Sequence, residues 1–196
     1  MNHVFLDLDD VLNNFTSDLG KLFGVGEGSG DLSWFPGECG YDIVSALRRL
    51  GWSKDILSPY LFWSTLPETC WSQASKSAIC DKLVRRLLAS YSARNITILT
   101  SVARGQSTAS VAAKIEWIKN NLPVELHNRY IIIATGEKWR LAGSGCLLID
   151  DNVDNCRMFT EACGDAMIVD RPWNQSCRGE FGRIRKMLNA IPNHTS

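Results

Sequence analysis

Five short runs of Val, Ile and Leu, separated by stretches of helical periodicity, constrain this chain more than any other feature. "HVFLDL" (3–8), "ITILT" (96–100), "YIIIA" (130–134), "CLLI" (146–149) and "AMIV" (166–169) are nearly continuous rather than alternating. Strands apolar on both sides imply a sheet covered on both faces, which is the habit of parallel sheets between helical layers. The intervening segments agree. Over 108–122, Val111, Ile115, Ile118 and Leu122 recur at helical spacing and Pro123 follows, which predicts a helix with these residues on its buried stripe. Helices are also expected over 154–163 and 178–191. The expected fold is α/β, a Rossmann-like doubly wound parallel sheet of about five strands.

One connection is too long for this scheme. Nearly ninety residues separate the first two runs, where a crossover needs about thirty. The surplus holds a Gly-rich stretch, "GVGEGSG" (24–30), and helical segments that include 41–50 and 74–91. Four of the seven tryptophans lie there: Trp34, Trp52, Trp63 and Trp71. Residues 16–91 are therefore expected to form a small helical cap, inserted after the first strand of a core made of 1–15 and 92–196. The Gly-rich stretch does not match GxGxxG and follows no strand, so it reads as a mobile connection rather than a phosphate cradle.

Composition removes several classes of function. Basic and acidic residues balance at 21 each, so the basic excess of a nucleic-acid binder is missing and no stable nucleic-acid binding is expected. No run of about twenty apolar residues suggests a membrane span. The start "MNHVFLDLDD" has neither a basic n-region nor an adequate apolar h-region, so no signal peptide is expected and the reading is cytoplasmic. Seven cysteines without a CxxC pair, and three scattered histidines (His3, His127, His194), support buried free thiols rather than a zinc site or disulfide framework.

The chemistry gathers where the apolar runs stop. In an open parallel sheet, ligands bind beyond the carboxyl ends of the strands. Asp7 and Asp9 sit at the first such end, two residues apart and so able to share a face. "CLLI" ends in Asp150 and Asp151. Two carboxylate pairs on one edge would suit a hard divalent cation, Mg2+ best of all. Asp10 and Asp154 read as turn or capping residues. "ITILTSV" ends in Thr100 and Ser101, whose hydroxyls can hydrogen-bond an anionic oxygen. Lys114 lies on the 108–122 helix, offset from its apolar stripe and free to reach the strand edge. Carboxylate, hydroxyl, lysine and acidic metal ligands together suit phosphoryl transfer.

"DLDDVL", "ILTS", Lys114 and "LLIDD" resemble the four motifs of the haloacid dehalogenase superfamily of phosphatases. The usual first motif is DxDG, and Asp10 here replaces the Gly. "DLDDVLNNF", the Thr-Ser pair and "KIEWIKNNL" are most similar to its 5′(3′)-deoxyribonucleotidase branch. The resemblance implies Asp7 as the nucleophile and Asp9 as general acid and base, with the Asp9 backbone carbonyl on the metal. It implies Asp151 as a direct Mg2+ ligand, and Asp150 either ligating or holding a metal-bound water, so that the metal set is Asp7, Asp9, Asp150 and Asp151. Thr100, Ser101 and Lys114 would bind phosphate, with Lys138 the rival lysine, its alternative being an exposed loop charge. Phe15 matches the position of a base-stacking aromatic, with Trp34 and Trp63 as further cap aromatics, and core packing as the alternative for each. The implied substrate is a (deoxy)nucleoside monophosphate. Another small phosphoester or a polynucleotide 3′-phosphate is the alternative, a non-enzymatic binding module is disfavoured, and a homodimer stays open.

Overall fold

The computed structural model describes residues 2–26, 28, 30–37, 40–52, 59–102, 105, 108–177 and 181–184. Its centre is a parallel sheet of β1 (His3–Leu6), β2 (Ile96–Val102), β3 (Tyr130–Ala134), β4 (Cys146–Asp150), β5 (Asp165–Ile168) and a two-residue β6 (Gly182–Arg183). The spatial order is β3-β2-β1-β4-β5-β6, with every paired strand parallel. The expected α/β doubly wound sheet is what forms, with five strands of four residues or more and β6 added at one edge. Gly182 and Arg183 fall where the pattern predicts a helix over 178–191, and most of the rest of that segment lies outside the described residues.

β1 is central because its Val4, Phe5 and Leu6 are buried on both sides of the sheet. Val4 and Leu6 point into one apolar cluster with Ile96, Ile98, Leu147 and Ile149. Phe5 points the other way, against Leu99, Leu148 and Phe159. This period-two division is the reason the runs read as continuous rather than alternating. The edge strand β3 departs from it, leaving Ile131 exposed.

Between β1 and β2 run α1 (Phe15–Leu22), α2 (Ile43–Arg49), α3 (Pro59–Thr65), α4 (Thr69–Ser72) and α5 (Cys80–Ser90). They do not all belong to one layer. Phe15, Leu19, Phe35, Ile43, Leu47, Phe62 and Trp71 form a second apolar cluster, which Ala113 and Trp173 join. Leu83, Val84 and Leu87 of α5 instead join the cluster under β1 and β2. Packing therefore assigns α5 to the sheet, although the sequence pattern puts the boundary beyond it, at residue 91.

α6 (Thr108–Asn121) links β2 to β3, and α7 (Val153–Glu161) links β4 to β5. The buried face of α6 differs from the expected stripe. Ala113, Lys114, Trp117 and Ile118 are buried, whereas Val111 and Ile115 are half-buried. The Trp117 indole, which donates to the Ala74 carbonyl at 2.6 Å, and the polar partners of Lys114 set the rotation of the helix. Among the described residues no helix is long and apolar enough to cross a membrane.

Candidate active site

The chain reverses its direction of sheet growth at β1, and the crevice at such a switch point opens above the strand ends. Although β1 stops at Leu6, the Asp7 amide still donates to the Ile149 carbonyl at 2.9 Å. That extra rung fixes Asp7 beside the end of β4. Asp7, Asp150 and Asp151 each offer a carboxylate oxygen, all within 4.8 Å of one another. All three residues are buried.

Lys138 closes the group. Its Nζ lies 2.7 Å from Asp7 Oδ1 and 2.7 Å from Asp150 Oδ2. The residue is 2% exposed, so it is no loop charge. Its 3-10 turn (Lys138–Leu141) precedes β4 and carries the side chain in under the strand ends. Lys114, equally buried, serves the neighbouring acid: Nζ donates to Asp9 Oδ2 at 2.6 Å, to Thr100 Oγ1 at 3.1 Å and to the Ser101 carbonyl at 2.6 Å. Both lysines thus reach the site, Lys138 on the carboxylate cluster and Lys114 on Asp9 and the end of β2.

Asn13, which the sequence left without a role, binds this arrangement from below. Its Nδ2 donates to Asp9 Oδ1 at 3.1 Å, and its Oδ1 accepts from the amides of Asp10 and Phe15. Asp9 therefore faces Lys114 and Asn13, and its carboxylate stands outside the cluster of three. Asn155 donates to Asp150, and Trp173 Nε1 donates to Asp151 Oδ2 at 2.7 Å. Nothing in the sequence marked Trp173. Asn155 carried one signal, its place one helical turn beyond the acidic pair.

Asp10 takes the turn role expected of it, and its geometry explains the departure from DxDG. Its φ is 60°, the left-handed region that glycine favours and that Asp tolerates better than most residues. The carboxylate accepts from the Thr16 amide at 2.9 Å and from its hydroxyl at 2.5 Å, supplying the cap that Asn14 does not give to α1. Asp154, also expected to turn or cap, is exposed in the first turn of α7, whose cap is Asn152.

Burial dominates the titration of the cluster. It pushes Asp7 up to about 7, opposed by Lys138 and reinforced by Asp150 and Asp9. Asp151 stands well above the carboxylate range, through burial and then repulsion from Asp150, Asp10 and Asp7. Asp10 rises to about 6 by burial, opposed by Arg171 and Thr16. For Lys138, burial alone would lower the value, but Asp150 and Asp7 more than offset it and the net shift is upward. Three neighbouring carboxylates share one ammonium, so their full ionisation calls for further positive charge. Oxygen donors at this spacing, short of positive charge, fit a divalent cation of the Mg2+ type.

A cavity of about 400 Å³ opens over these groups. Asp7, Asp9, Thr100, Ser101 and the two lysines line its polar side; Phe15, Tyr41, Ile43, Val44, Trp63 and Trp71 line the other. Phe15 is buried, its ring nearly parallel to Trp71 at 5.5 Å and to Trp63 at 6.1 Å. The aromatic side is thus a packed cluster rather than one free ring. Trp34 is not brought to the cavity. Its indole lies over Gly20, where an added Cβ would sit 2.8 Å from the ring, and it stands against Phe35.

No model of a known protein family matches the chain. A stretch of 60 residues is 33% identical to cardiac-type myosin-binding protein C of Rattus norvegicus; it is 31% of this chain and 5% of that protein, so the chain spans about one twentieth of the curated relative it matches. Among solved structures, Protein Tyrosine Kinase A of Mycobacterium tuberculosis aligns over 96% of this chain and 98% of its own, with 14% identity and a TM-score of 0.54. That likeness shows a shared fold. A haloacid dehalogenase-like family hydrolase from Streptococcus pneumoniae aligns over 98% and 92%, with 18% identity and a TM-score of 0.49. A HAD family hydrolase from Deinococcus radiodurans R1, with bound phosphate and sodium, aligns over 86% and 80%, with 13% identity and a TM-score of 0.47.

Proposed function

We propose that the protein is a Mg2+-dependent phosphomonoesterase of the haloacid dehalogenase type, working through an aspartyl-phosphate on Asp7. One observation carries the reading: three adjacent strand ends deliver Asp7 and Asp9, Thr100 and Ser101, and Asp151 to one cavity that also holds two buried lysines, with Asp150 fully buried beside Asp7 and Asp151. Asp7, Asp150 and Asp151 would hold the cation, with the Asp9 carbonyl. Bound there, Mg2+ supplies charge neutralisation between the nucleophile and the phosphoryl oxygens.

The residues divide the remaining work. A carboxylate oxygen of Asp7 attacks phosphorus while the bond to the leaving oxygen breaks, and Asp9 gives that oxygen its proton. Asp9 then takes a proton from water, which attacks the acyl phosphate, releasing inorganic phosphate and restoring Asp7. Lys114 and Asn13 hold Asp9 in place for both steps. The Ser101 hydroxyl is buried and has no hydrogen-bond partner among the described residues, so it stands ready, with Thr100 and Lys114, for a phosphoryl oxygen.

The substrate proposed is a nucleoside monophosphate, because one cavity places apolar rings opposite the phosphoryl-binding groups at a volume of about 400 Å³. Within the 16–91 insertion, the segments that carry Tyr41, Ile43, Trp63 and Trp71 would act as the cap that forms this side. Phosphate release from nucleotides and ring-free phosphoesters, with Mg2+ and with chelator, tests both parts. Full turnover in chelator would remove the metal. Faster turnover of sugar phosphates than of every nucleotide would remove the nucleotidase reading and leave the phosphatase standing.

A further inference from the structure

Asp151 is the cluster member held from the segment that follows β5. Its Oδ2 accepts the Trp173 indole N–H at 2.7 Å, and its backbone carbonyl accepts Asn174 Nδ2 at 2.8 Å. Asn174 also donates to the Val169 carbonyl and accepts from the Arg171 amide, which fastens the segment after β5 to the end of β4. The indole takes one lone pair of Oδ2, which fixes the direction of the lone pairs that Asp151 keeps for a cation shared with Asp7 and Asp150. A ring N–H that locks a carboxylate in this way selects both its rotamer and its free lone pairs.

The indole is in turn clasped by the insertion. Phe35 packs edge-on against it at 4.7 Å and Tyr41 at 5.1 Å, and the Gly40 amide donates to the Trp173 carbonyl at 2.8 Å. Trp173 is 1% exposed. Tyr41 also lines the cavity, so a ligand that presses on Tyr41 leans on the ring that orients Asp151.

We propose that Trp173 is a positioning residue for Asp151, and that through it the docking of Phe35, Gly40 and Tyr41 sets the affinity of the metal site. The inference rests on the metal reading above. Metal and cavity ligand are then reciprocally coupled, each raising the affinity for the other.

Calorimetric titration of the full chain with Mg2+, without substrate, tests this directly. Trp173→Phe keeps the ring and removes the N–H, and it should bind Mg2+ about 10- to 100-fold more weakly, as loss of a partner behind a metal ligand commonly does. Excess Mg2+ should restore kcat in this variant, which a misfolded site would not allow. Phe35→Leu keeps the N–H, loosens the clasp and touches no metal ligand; it should lower Mg2+ affinity by a smaller factor, and it serves if Trp173→Phe does not fold. Wild-type affinity in folded Trp173→Phe overturns the positioning role, and wild-type affinity in Phe35→Leu overturns the link to the insertion. If the wild-type chain itself takes up no Mg2+, the metal reading fails and the inference goes with it.

Discussion

The two sides of the cavity are built differently. On the sheet side each charged group has fixed partners: Lys138 two carboxylates, Lys114 three acceptors, Asp9 a lysine and an amide. On the insertion side the contacts are rings and aliphatic chains, held by shape and burial. Directional bonds among buried charges tolerate no substitution, because a missing partner leaves a desolvated charge behind. An apolar surface gives way by degrees. Chemistry should therefore fail abruptly when the sheet side is altered, and selectivity should drift when the insertion side is altered.

The largest effect is expected at the proposed nucleophile. Asp7→Asn should lower phosphate release by about four orders of magnitude or more while circular dichroism stays native. Near-normal turnover in folded protein would sink the assignment. Next comes Lys138→Met, which leaves Asp7 and Asp150 without their ammonium. Denaturant titration in EDTA should show a loss of about 3–5 kcal/mol near neutral pH, smaller in Mg2+ because the cation replaces the lost charge. Equal losses in both buffers would mean that no cation binds there.

On the apolar side, Trp63 is a cleaner probe than the buried Phe15. Trp63→Leu should raise KM for a nucleoside monophosphate by about tenfold, in line with about 1–3 kcal/mol per stacked base, and leave glycerol phosphate nearly unchanged. Equal effects on both substrates would show that the ring only supports the fold.

Metal and pH should interact. Asp7 and Asp10 have folded values of about 7 and about 6 against an ordinary 3.8, so the folded chain holds more protons than the unfolded one between these limits. Without metal, the stability these two groups contribute is fully present below about pH 3.8 and is lost as pH rises through about 6 and about 7. In EDTA the melting temperature should drop from pH 5.5 to pH 7.5, and saturating Mg2+ should reverse the trend by favouring the ionised carboxylates. A rise in EDTA would show that burial does not dominate the cluster. The smallest effect belongs to Asp10→Gly. Glycine relieves the left-handed backbone but forfeits the hydrogen bonds to Thr16, and a net loss of about 1 kcal/mol is expected by thermal melts.

The sequence by itself determined the sheet. Uninterrupted Val, Ile and Leu runs can only be satisfied between two layers, and the ends of those runs put Asp7, Asp9, Thr100, Asp150 and Asp151 at one edge. These motif residues are local to strand ends, so strand geometry alone carries them to the site. The tertiary structure decided what no local pattern encodes. Lys138 reads equally well as an exposed charge until its turn folds under β4, and Val111 and Ile115 claim by periodicity the buried face that Lys114 and Trp117 hold in α6. α5 joins the sheet because Leu83, Val84 and Leu87 meet β1 and β2 there, while Trp34 settles over Gly20 instead of the cavity. Asn13 and Trp173 gain their roles from partners: an amide set among Asp9, Asp10 and Phe15, and an indole 22 residues beyond Asp151 in the chain yet 2.7 Å from its oxygen. Periodicity reports which face of an element is apolar. Which polar group meets which is fixed only when the elements pack, because a buried charge takes its place from its partner.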